Sequence, residues 1–383
     1  MKIVEVTPYL LRAPLERPFG WSQGWIRERV AVVVKVVTDE GIVGWGETGF
    51  PDAAALIRDR LAPQILGCDP LNREGIWWRL IGPMMNQNEY LGLGMCALSA
   101  IDIALWDIAG KVAGKPIAEL LGGPLRTQVA VYATGLYYTE GDEPHRLAEE
   151  AASYVEAGFR AVKMKVGGRS LREDARRVAL VRKAVGEDVY LMVDANQAYT
   201  PFAAARLARF LEEQQVLWFE EPVPAHDVAA YVHLRERTSV PLAGGENLHS
   251  RFAFREPLRL RAWDIAQPDV TVVGGITEMV KVAAMANAFD ILVAPHAWGT
   301  PIMMAATLHV ASVLPPCPRV RAPIAFLQEP VVEFDRTPNP LRAALCGQDF
   351  QQRDGYLQVP TGPGLGVEVD ESALSHFAVV HDG

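Results

Sequence analysis

Hydrophobic and polar residues follow two different rhythms along the chain, and the rhythm changes near residue 125. In the first part, RVAVVVKVVTDEGIVGWGE predicts two strands around the turn TDEG, and residues 53–66 and 71–85 have the periodicity of amphipathic helices. The apolar run CALSAIDIALWDIAGKVAGKPIAELLGG predicts one helix that ends at Gly122 and Gly123. We therefore expect residues 1–125 to form an α+β unit.

After residue 125, short apolar strands alternate with helical segments. The predicted strands are VAVYATG, AVKMKV, YLMVDAN, VLWFEEP, VPLAGGE, WDIAQPDV and DILVAPH. At least seven strand and helix units indicate a (β/α)8 barrel rather than a doubly wound sheet. The alternation is lost after residue 335, where VPTGPGLGVEVD is rich in Pro and Gly. We therefore predict a barrel domain over 126–335 and a C-terminal segment, 336–383, that returns to the first unit.

Composition and charge narrow the class of protein. Of the 383 residues, 50% are hydrophobic and 22% are charged, and the net charge of -9 is spread without long runs. This pattern argues against nucleic acid or an anionic membrane as a partner. The four cysteines form no CxxC pair, so neither a disulfide framework nor a zinc site is indicated. We see no signal-peptide pattern and no run close to the ~20 apolar residues that span a bilayer, so we expect a cytoplasmic protein.

Three consecutive predicted strands end in an acidic residue. Asp194, Glu220 and Glu246 are 26 residues apart in both intervals (194 to 220 and 220 to 246). The carboxyl ends of barrel strands meet at one face, which carries the chemistry. Three converging carboxylates repel one another, and oxygen-only ligands favour a hard cation, Mg²⁺ before Mn²⁺. We predict a metal site here; the alternative is that each acid pairs with a surface Lys or Arg.

The strand AVKMKV carries two lysines, Lys163 and Lys165, on the same face, because successive side chains of a strand alternate. Taken alone, this pattern is more typical of a charged edge strand. Beside a metal and a second ammonium, however, the pKa of Lys165 is expected to fall toward the ~7 to 8 that suits a general base. We therefore predict that Lys165 is a base, one strand before Asp194.

A histidine and an aspartate end two further strands. QPDV contains Asp269 and APHAW contains His296, 27 residues later (296 minus 269). A lone histidine in an apolar segment is more often structural, but a carboxylate one strand away can hold its ring nitrogen and raise its basicity. We predict that His296 is a second base on the other side of the metal from Lys165. Two bases facing one metal suit the removal of a proton from carbon.

The motifs KMK, VDANQ, FEEP, GGEN, QPD and PH occur in order over almost the whole chain, which resembles the enolase superfamily, mandelate racemase subgroup. FEEPVPAHDVAAY, PHAWGTP and VEFDRTPNP are most similar to acid-sugar dehydratases and cycloisomerases. The resemblance implies an α/β fold, a modified (β/α)8 TIM barrel with an α+β capping domain formed by the N-terminal region and the C-terminal tail. It also implies Mg²⁺, with Mn²⁺ as an alternative, held by Asp194, Glu220 and Glu246.

The same resemblance implies an acid–base apparatus on both sides of the metal. Lys165 would be one acid/base, with Lys163 beside it. His296 and Asp269 would form a dyad that acts as the other.

Substrate contacts are implied as well. Asn196 in DANQ matches a position that touches substrate, and a late glutamate would hydrogen-bond the substrate carboxylate. Glu333 in VEFDRT matches that glutamate better than Glu329 in LQEP. Trp21 and Trp298 are further candidates. Trp21 belongs to RPFGWSQGW, which we expect to be a loop, either a packed surface loop or a lid over the pocket.

Several functions remain open at this point. The first is Mg²⁺-dependent removal of the proton α to the carboxylate of a sugar acid, an aldarate, an aldonate or a lactone, through a metal-stabilised enediolate, followed by dehydration or cycloisomerisation. A racemase or epimerase of a 2-hydroxy acid would use the same residues. A lysine Schiff-base aldolase would explain the lysines but not the three acids, and a non-catalytic sugar-acid binding protein is the other alternative. We expect a small-molecule carboxylate substrate and a symmetric homo-oligomer.

Overall fold

The structure, a computed structural model, describes residues 1–87, 89–141, 144–347 and 350–379. The N-terminal elements are β1 (Ile3–Trp21), β2 (Gly24–Thr38), β3 (Val43–Thr48), α1 (Ala53–Leu56), a π-helical turn (Ile57–Leu61), α2 (Ala62–Ile65), α3 (Arg73–Asn86), α4 (Leu93–Ala113) and α5 (Ile117–Leu120). The next elements are β4 (Gln128–Thr134), β5 (Tyr138–Thr139), α6 (Pro144–Glu156), β6 (Ala161–Lys165), α7 (Leu171–Val185), β7 (Tyr190–Asp194), α8 (Pro201–Glu213), β8 (Val216–Glu220), α9 (Val228–Arg235), β9 (Leu242–Gly244), α10 (Ser250–Arg259), β10 (Ile265–Ala266), α11 (Gly275–Ala288), β11 (Leu292–Val293), α12 (Pro301–Val313) and β12 (Val331–Asp335). The last are α13 (Pro340–Cys346), β13 (Tyr356–Gln358) and α14 (Glu371–Phe377).

The N-terminal elements form an antiparallel sheet in the order β3-β2-β1-β5, with α4 packed against it. The alternating apolar residues of β2 belong to the same buried cluster as the apolar face of α4. Two glycines of β3 allow the close approach, since a Cβ at Gly46 would lie 1.8 Å from the Ala100 carbonyl oxygen and one at Gly44 2.2 Å from that of Ala104.

Helix α4 ends earlier than the sequence pattern predicted. Gly114 caps it in the left-handed conformation, with φ of 63°, and Pro116 precedes the separate short helix α5. The single helix that we predicted to run to Gly122 and Gly123 is therefore wrong. The reason is that Gly114 adopts positive φ without steric cost and so stops the helix.

Helix α4 is long and apolar enough to cross a membrane, by length and composition alone. Our expectation that no apolar run approaches this length is therefore wrong. In the structure, 94% of its most apolar window is buried inside the protein. It contacts both the N-terminal sheet and α11. These protein contacts account for its apolar surface.

The segment RPFGWSQGW is the end of a β-hairpin rather than the loop that we expected. Trp21 pairs with Gly24, and the turn between β1 and β2 consists of Ser22 and Gln23. The turn rests on the loop that follows β7, because Ser22 Oγ donates to the Ala195 carbonyl and Gln23 Nε2 to the Asn196 carbonyl, both at 2.8 Å.

Eight parallel strands form a nearly closed barrel in the order β12-β4-β6-β7-β8-β9-β10-β11, as the strand and helix alternation predicted. The strand ends are in register, with Lys165 opposite Asp194 and Asp194 opposite Glu220. Asp269 and His296 form a parallel bridge just after β10 and β11. The barrel therefore places these polar residues at one level of its mouth.

The C-terminal elements contact both parts of the molecule. Strand β13 pairs antiparallel with the start of β4. Helix α14 packs on β1, and the Val379 amide donates to the Leu10 carbonyl at 2.8 Å. The division into 1–125, 126–335 and 336–383 stays a prediction.

Candidate active site

Three carboxylates converge at the barrel mouth. One oxygen atom from each of Asp194, Glu220 and Glu246 lies within 4.8 Å of the other two. Asp194 and Glu220 end the adjacent strands β7 and β8, and Glu246 follows β9 by two residues. The interval of 26 residues in the sequence therefore corresponds to one strand position in the barrel.

The environment of Glu246 fits a divalent cation. Burial raises the pKa of the Glu246 carboxyl well above its usual value; His296 opposes this shift, and the neighbouring carboxylates Glu221 and Asp194 add to it. Among the residues that the structure describes, its Oε2 atom is buried without a hydrogen-bond partner, and His296 Nε2 lies 3.7 Å from it. A buried carboxylate oxygen beside other carboxylates is unfavourable unless a cation compensates it, and three carboxylates are the donor set that Mg²⁺ prefers.

Each lysine of β6 has its own acidic partner. Lys163 Nζ lies 2.6 Å from Glu220 Oε1 and 3.1 Å from Glu333 Oε1. Lys165 Nζ donates to Asp194 Oδ2. Burial lowers the pKa of Lys165, but Asp194 together with Tyr137 and Glu246 outweighs burial, so that this pKa lies above its usual value. Among the protein's own groups the shift is therefore opposite to the lowering that we expected, because the Asp194 carboxylate affects the pKa of Lys165 more than the Lys163 ammonium does.

His296 and Asp269 make the predicted pair. His296 Nδ1 lies 2.6 Å from Asp269 Oδ2, and Asp269 Oδ1 accepts hydrogen bonds from the amide and hydroxyl of Thr271, both at 2.7 Å. Burial lowers the pKa of His296, but Glu246, Glu333 and Asp269 outweigh burial and raise it to about 10. With Nδ1–H donated to Asp269, Nε2 is the atom that can exchange a proton in the cavity.

The structure places Glu333 in the mouth and Glu329 elsewhere. Glu333 is the third residue of β12, and its Oε2 accepts from the Ala297 amide at 3.3 Å and lies 3.5 Å from His296 Nε2. Glu329 comes two residues before β12 begins, and its carboxylate lies 3.8 Å from Arg126 Nε, on a residue that precedes β4. Since β12 and β4 are parallel, Glu329 lies toward the opposite end of the barrel.

A cavity of about 240 Å³ opens above these groups. Of the residues singled out from the sequence, the cavity is lined by Lys165, Asn196, Glu246, Asp269, His296, Glu333, Trp21 and Trp298. Lys163, Asp194 and Glu220 are fully buried directly below it.

Two of the predicted substrate contacts have unpaired polar atoms. Asn196 has positive φ, 43°, and its amide donates to Asp194 Oδ1 at 2.8 Å, whereas its side-chain Oδ1 is buried and has no partner within the described part of the chain. Trp298 is stacked on the Arg29 guanidinium at 3.7 Å, and its buried Nε1 likewise has no partner among the described residues. Such atoms are available to a ligand that enters the cavity.

Glu47 lines the cavity but was missed in the sequence. It lies near the end of β3, and its carboxylate accepts from the amides of Thr300 at 2.8 Å and Met303 at 3.0 Å, at the start of α12. Helix α12 follows the loop that carries His296. The motif GWGET could have drawn attention to an acidic residue near the end of a strand. No local pattern, however, indicates that its partner Thr300 lies 253 residues further along the chain.

We expect Glu47→Ala to lower the free energy of unfolding by about 1 to 3 kcal/mol, because two buried amides at the start of α12 lose their acceptor. Glu47→Gln keeps one acceptor oxygen and should lose less. Denaturant unfolding measures the effect, with the exposed Glu16→Ala as the control. Equal stability of Glu47→Ala and Glu16→Ala would show that the carboxylate does not stabilise this helix end.

The fold and the site together define a class of protein, the capped (β/α)8 barrels of the enolase superfamily, with acid–base groups on both sides of an acidic cluster. Residues 4–122 match the family model "Mandelate racemase / muconate lactonizing enzyme, N-terminal domain", and residues 146–373 match "Enolase C-terminal domain-like". The chain belongs to the mandelate racemase / muconate lactonizing enzyme family of this superfamily, as predicted.

Relatives of known activity and solved structures agree with this assignment. D-galactarolactone cycloisomerase of Agrobacterium fabrum is 39% identical, over 98% of this chain and 99% of the relative. Arabinonate dehydratase of Saccharolobus solfataricus is 35% identical, over 90% of each chain. The crystal structure of 3,6-anhydro-D-galactonate cycloisomerase from Zobellia galactanivorans is 36% identical, with a TM-score of 0.87, over 99% of this chain and 100% of that chain.

A further neighbour bears on the metal. The crystal structure of a racemase from Streptomyces coelicolor with bound magnesium is 31% identical, with a TM-score of 0.87, over 98% of this chain and 100% of that chain. Superfamily members therefore bind Mg²⁺, and the present chain has an acidic cluster at its barrel mouth. The predicted family, fold and class of enzyme are confirmed.

Proposed function

We propose that this protein is a Mg²⁺-dependent enzyme that removes the proton α to the carboxylate of a sugar acid or its lactone, and that the reaction continues as a dehydration or a cycloisomerisation. The observation that carries the proposal is the joint position of two proton-carrying groups, Lys165 and His296, in one cavity above three convergent carboxylates. The activities named for the relatives, a lactone cycloisomerase and a sugar-acid dehydratase, support the choice of substrate.

Asp194, Glu220 and Glu246 would hold the ion, with Mn²⁺ as an alternative to Mg²⁺. When bound, the ion would stabilise negative charge on the substrate carboxylate as the α proton leaves, which is needed because such a proton is only weakly acidic. Lys163, which pairs with Glu220, would hold that ligand in place from below.

Lys165 and His296 would carry the protons. Lys165 ends β6 and His296 follows β11, with β7 to β10 between them, so each group reaches the cavity from its own side. One of them takes the α proton, and the other delivers a proton to the leaving oxygen or to carbon. Asp269 holds His296 in the tautomer that leaves Nε2 facing the cavity.

The remaining predicted residues would bind the substrate. Glu333 would hydrogen-bond its carboxylate, beside His296 Nε2 at 3.5 Å. Asn196 and Trp298 each offer a polar atom that no described residue pairs with, and Trp21 covers the cavity from the end of the β1–β2 hairpin. We also keep the prediction of a symmetric homo-oligomer, which rests on the resemblance alone.

Racemisation by 1,1-proton transfer would use the same two groups, and differs in that no β leaving group departs. A lysine Schiff-base aldolase is less well supported, because Lys163 and Lys165 are both paired with carboxylates and the acidic cluster would have no role. Borohydride trapping of a substrate on a lysine would favour the aldolase.

The experiment that tests the proposal is proton exchange in D₂O with Mg²⁺ and a library of aldonic acids, aldaric acids and lactones. We expect deuterium at the α carbon of at least one compound, together with a dehydrated or isomerised product. Exchange with no loss of water or change of ring would favour the racemase. If every ligand that binds fails to exchange, the protein binds sugar acids without turnover and the proposal is wrong.

A further inference from the structure

The cavity has two chemically different halves. The half toward the barrel strands contains the ionisable groups described above, from Lys165 to His296. The other half is formed by Ile26 and Val30 of β2, Phe50 after β3, and apolar side chains from the starts of two barrel loops or helices, Val272 and Met303. A substrate whose reacting carboxylate lies over the acidic cluster must therefore extend its distal end toward an apolar wall.

Among the residues that the structure describes, no Lys or Arg side chain lies at that wall to meet a second carboxylate. Within the described part of the chain, Lys165 is the only Lys or Arg that lines the cavity, and it belongs to the barrel half. The nearby Arg29 is 2% exposed, stacks on Trp298 and donates to Asp335 Oδ2 at 2.6 Å, a carboxylate that it shares with Arg342, so it is buried and already engaged. An acidic side chain, Glu47, also lines the cavity, and its carboxylate already accepts from the amides of Thr300 and Met303.

Placing a second substrate carboxylate there would remove an ion from water without providing a partner, which is costly. An uncharged distal half, such as a lactone ring or a terminal hydroxymethyl group, avoids this cost, and the carbon face of a ring can pack against Phe50 or Trp21. The cavity thus favours a sugar acid with an uncharged distal end over one with a second carboxylate, because no described Lys or Arg lies at the distal wall and Glu47 also lines the cavity.

We propose that the site selects sugar acids with a single carboxylate, namely aldonates or lactones that retain one carboxylate, and discriminates against aldarates, which have a free carboxylate at both ends. This inference rests on the proposed function, since that function places the reacting carboxylate at the barrel half.

A matched set of ligands tests it. We would measure binding calorimetrically in the presence of Mg²⁺ for an aldonate, for the aldarate of the same configuration and carbon number, and for the lactone of that aldarate. The aldonate or the lactone should bind at least about tenfold more tightly than the aldarate, as expected for one uncompensated charge. Equal or tighter binding of the aldarate would overturn the inference.

Parallel exchange in D₂O separates this inference from the proposed function. If the preference in binding holds but no ligand exchanges its α proton, the proposed function fails and the selectivity stands. If aldarates exchange as fast as their aldonate partners, the function stands and the selectivity fails. Absence of binding by all three ligands would overturn both.

A cation introduced at the apolar wall provides a second test. Phe50 is 41% exposed, so Phe50→Arg should be tolerated, and it should improve aldarate binding relative to aldonate binding by about tenfold. Phe50→Gln, of similar polarity but without charge, is the control and should leave the ratio unchanged. Ile26→Lys repeats the test from β2 in case Phe50→Arg does not fold. An unchanged ratio in whichever cationic variant folds would contradict the inference.

Discussion

Lys165→Ala and His296→Asn are each expected to abolish overall turnover, with losses of ~10² to 10⁴ in rate for a positioned acid or base. The two groups approach the cavity from different sides, so each reaches one face of the α carbon. One of the two variants should therefore still exchange the α proton of one stereoisomer with solvent, since the group that removes this proton remains. Steady-state turnover and exchange in D₂O, measured on the same preparations, provide the comparison.

The control for this pair is Asp269→Asn, which keeps His296 but alters the acceptor 2.6 Å from its Nδ1. Asp269 is a positioning residue, so this variant should lose rate while retaining the pattern of exchange that depends on Lys165. Near wild-type turnover in both Lys165→Ala and His296→Asn would mean that the cavity does not work with two bases.

Glu246→Gln is expected to weaken Mg²⁺ binding strongly while changing the free energy of unfolding little. Among the described residues Glu246 Oε2 has no hydrogen-bond partner, so neutralising it breaks no such bond; it removes repulsion from Glu221 and Asp194, and also the attraction to His296, whose Nε2 lies 3.7 Å away. Calorimetric titration of Mg²⁺ and unfolding in the presence of a chelator measure the two quantities. Chelation of the wild-type protein should abolish proton exchange, and Mg²⁺ should restore it.

Glu220→Gln should behave differently, because Glu220 also has structural partners: its Oε1 accepts from Lys163 at 2.6 Å and its Oε2 from Gln267 at 2.6 Å. Removing its charge leaves the buried Lys163 with one acidic partner fewer, so we expect a loss of stability together with the loss of Mg²⁺. Glu329→Gln, toward the other end of the barrel, is the control for both variants. Wild-type Mg²⁺ affinity in Glu246→Gln, or activity unchanged after rigorous chelation, would contradict the metal site.

The positions of the site residues at the barrel mouth could be predicted because they follow from two sequence periods: the alternation of side chains within a strand and the length of one strand and helix unit. Alternation within β6 puts Lys163 and Lys165 on one face, and the length of one strand and helix unit brings Asp194 and Glu220 to adjacent strand ends. These are local regularities, and a βα unit has few ways to fold. The family resemblance added the roles, which remain predictions.

Register also settled where the late glutamates lie. The sequence allowed a slip of four residues between Glu329 and Glu333, whereas the pairing of Glu333 with Tyr132 in β12 and β4 puts Glu333 beside Lys163. The two paired strands lie some 200 residues apart in the chain. The sequence of β12 alone does not specify its register with so distant a strand.

By itself, then, the sequence determined the barrel, the level of its polar strand ends and the family, because each depends on residues within one or two repeating units. Only the tertiary structure decided that the hairpin turn at Ser22 rests on the loop after Asp194, that Glu47 caps α12, and that Lys165 has a carboxylate nearer than any cation of the protein. These contacts join residues 173, 253 and 29 positions apart. Contacts between separate elements depend on how the elements pack, and a pKa depends on distances of a few ångströms, so neither can be read from a local pattern.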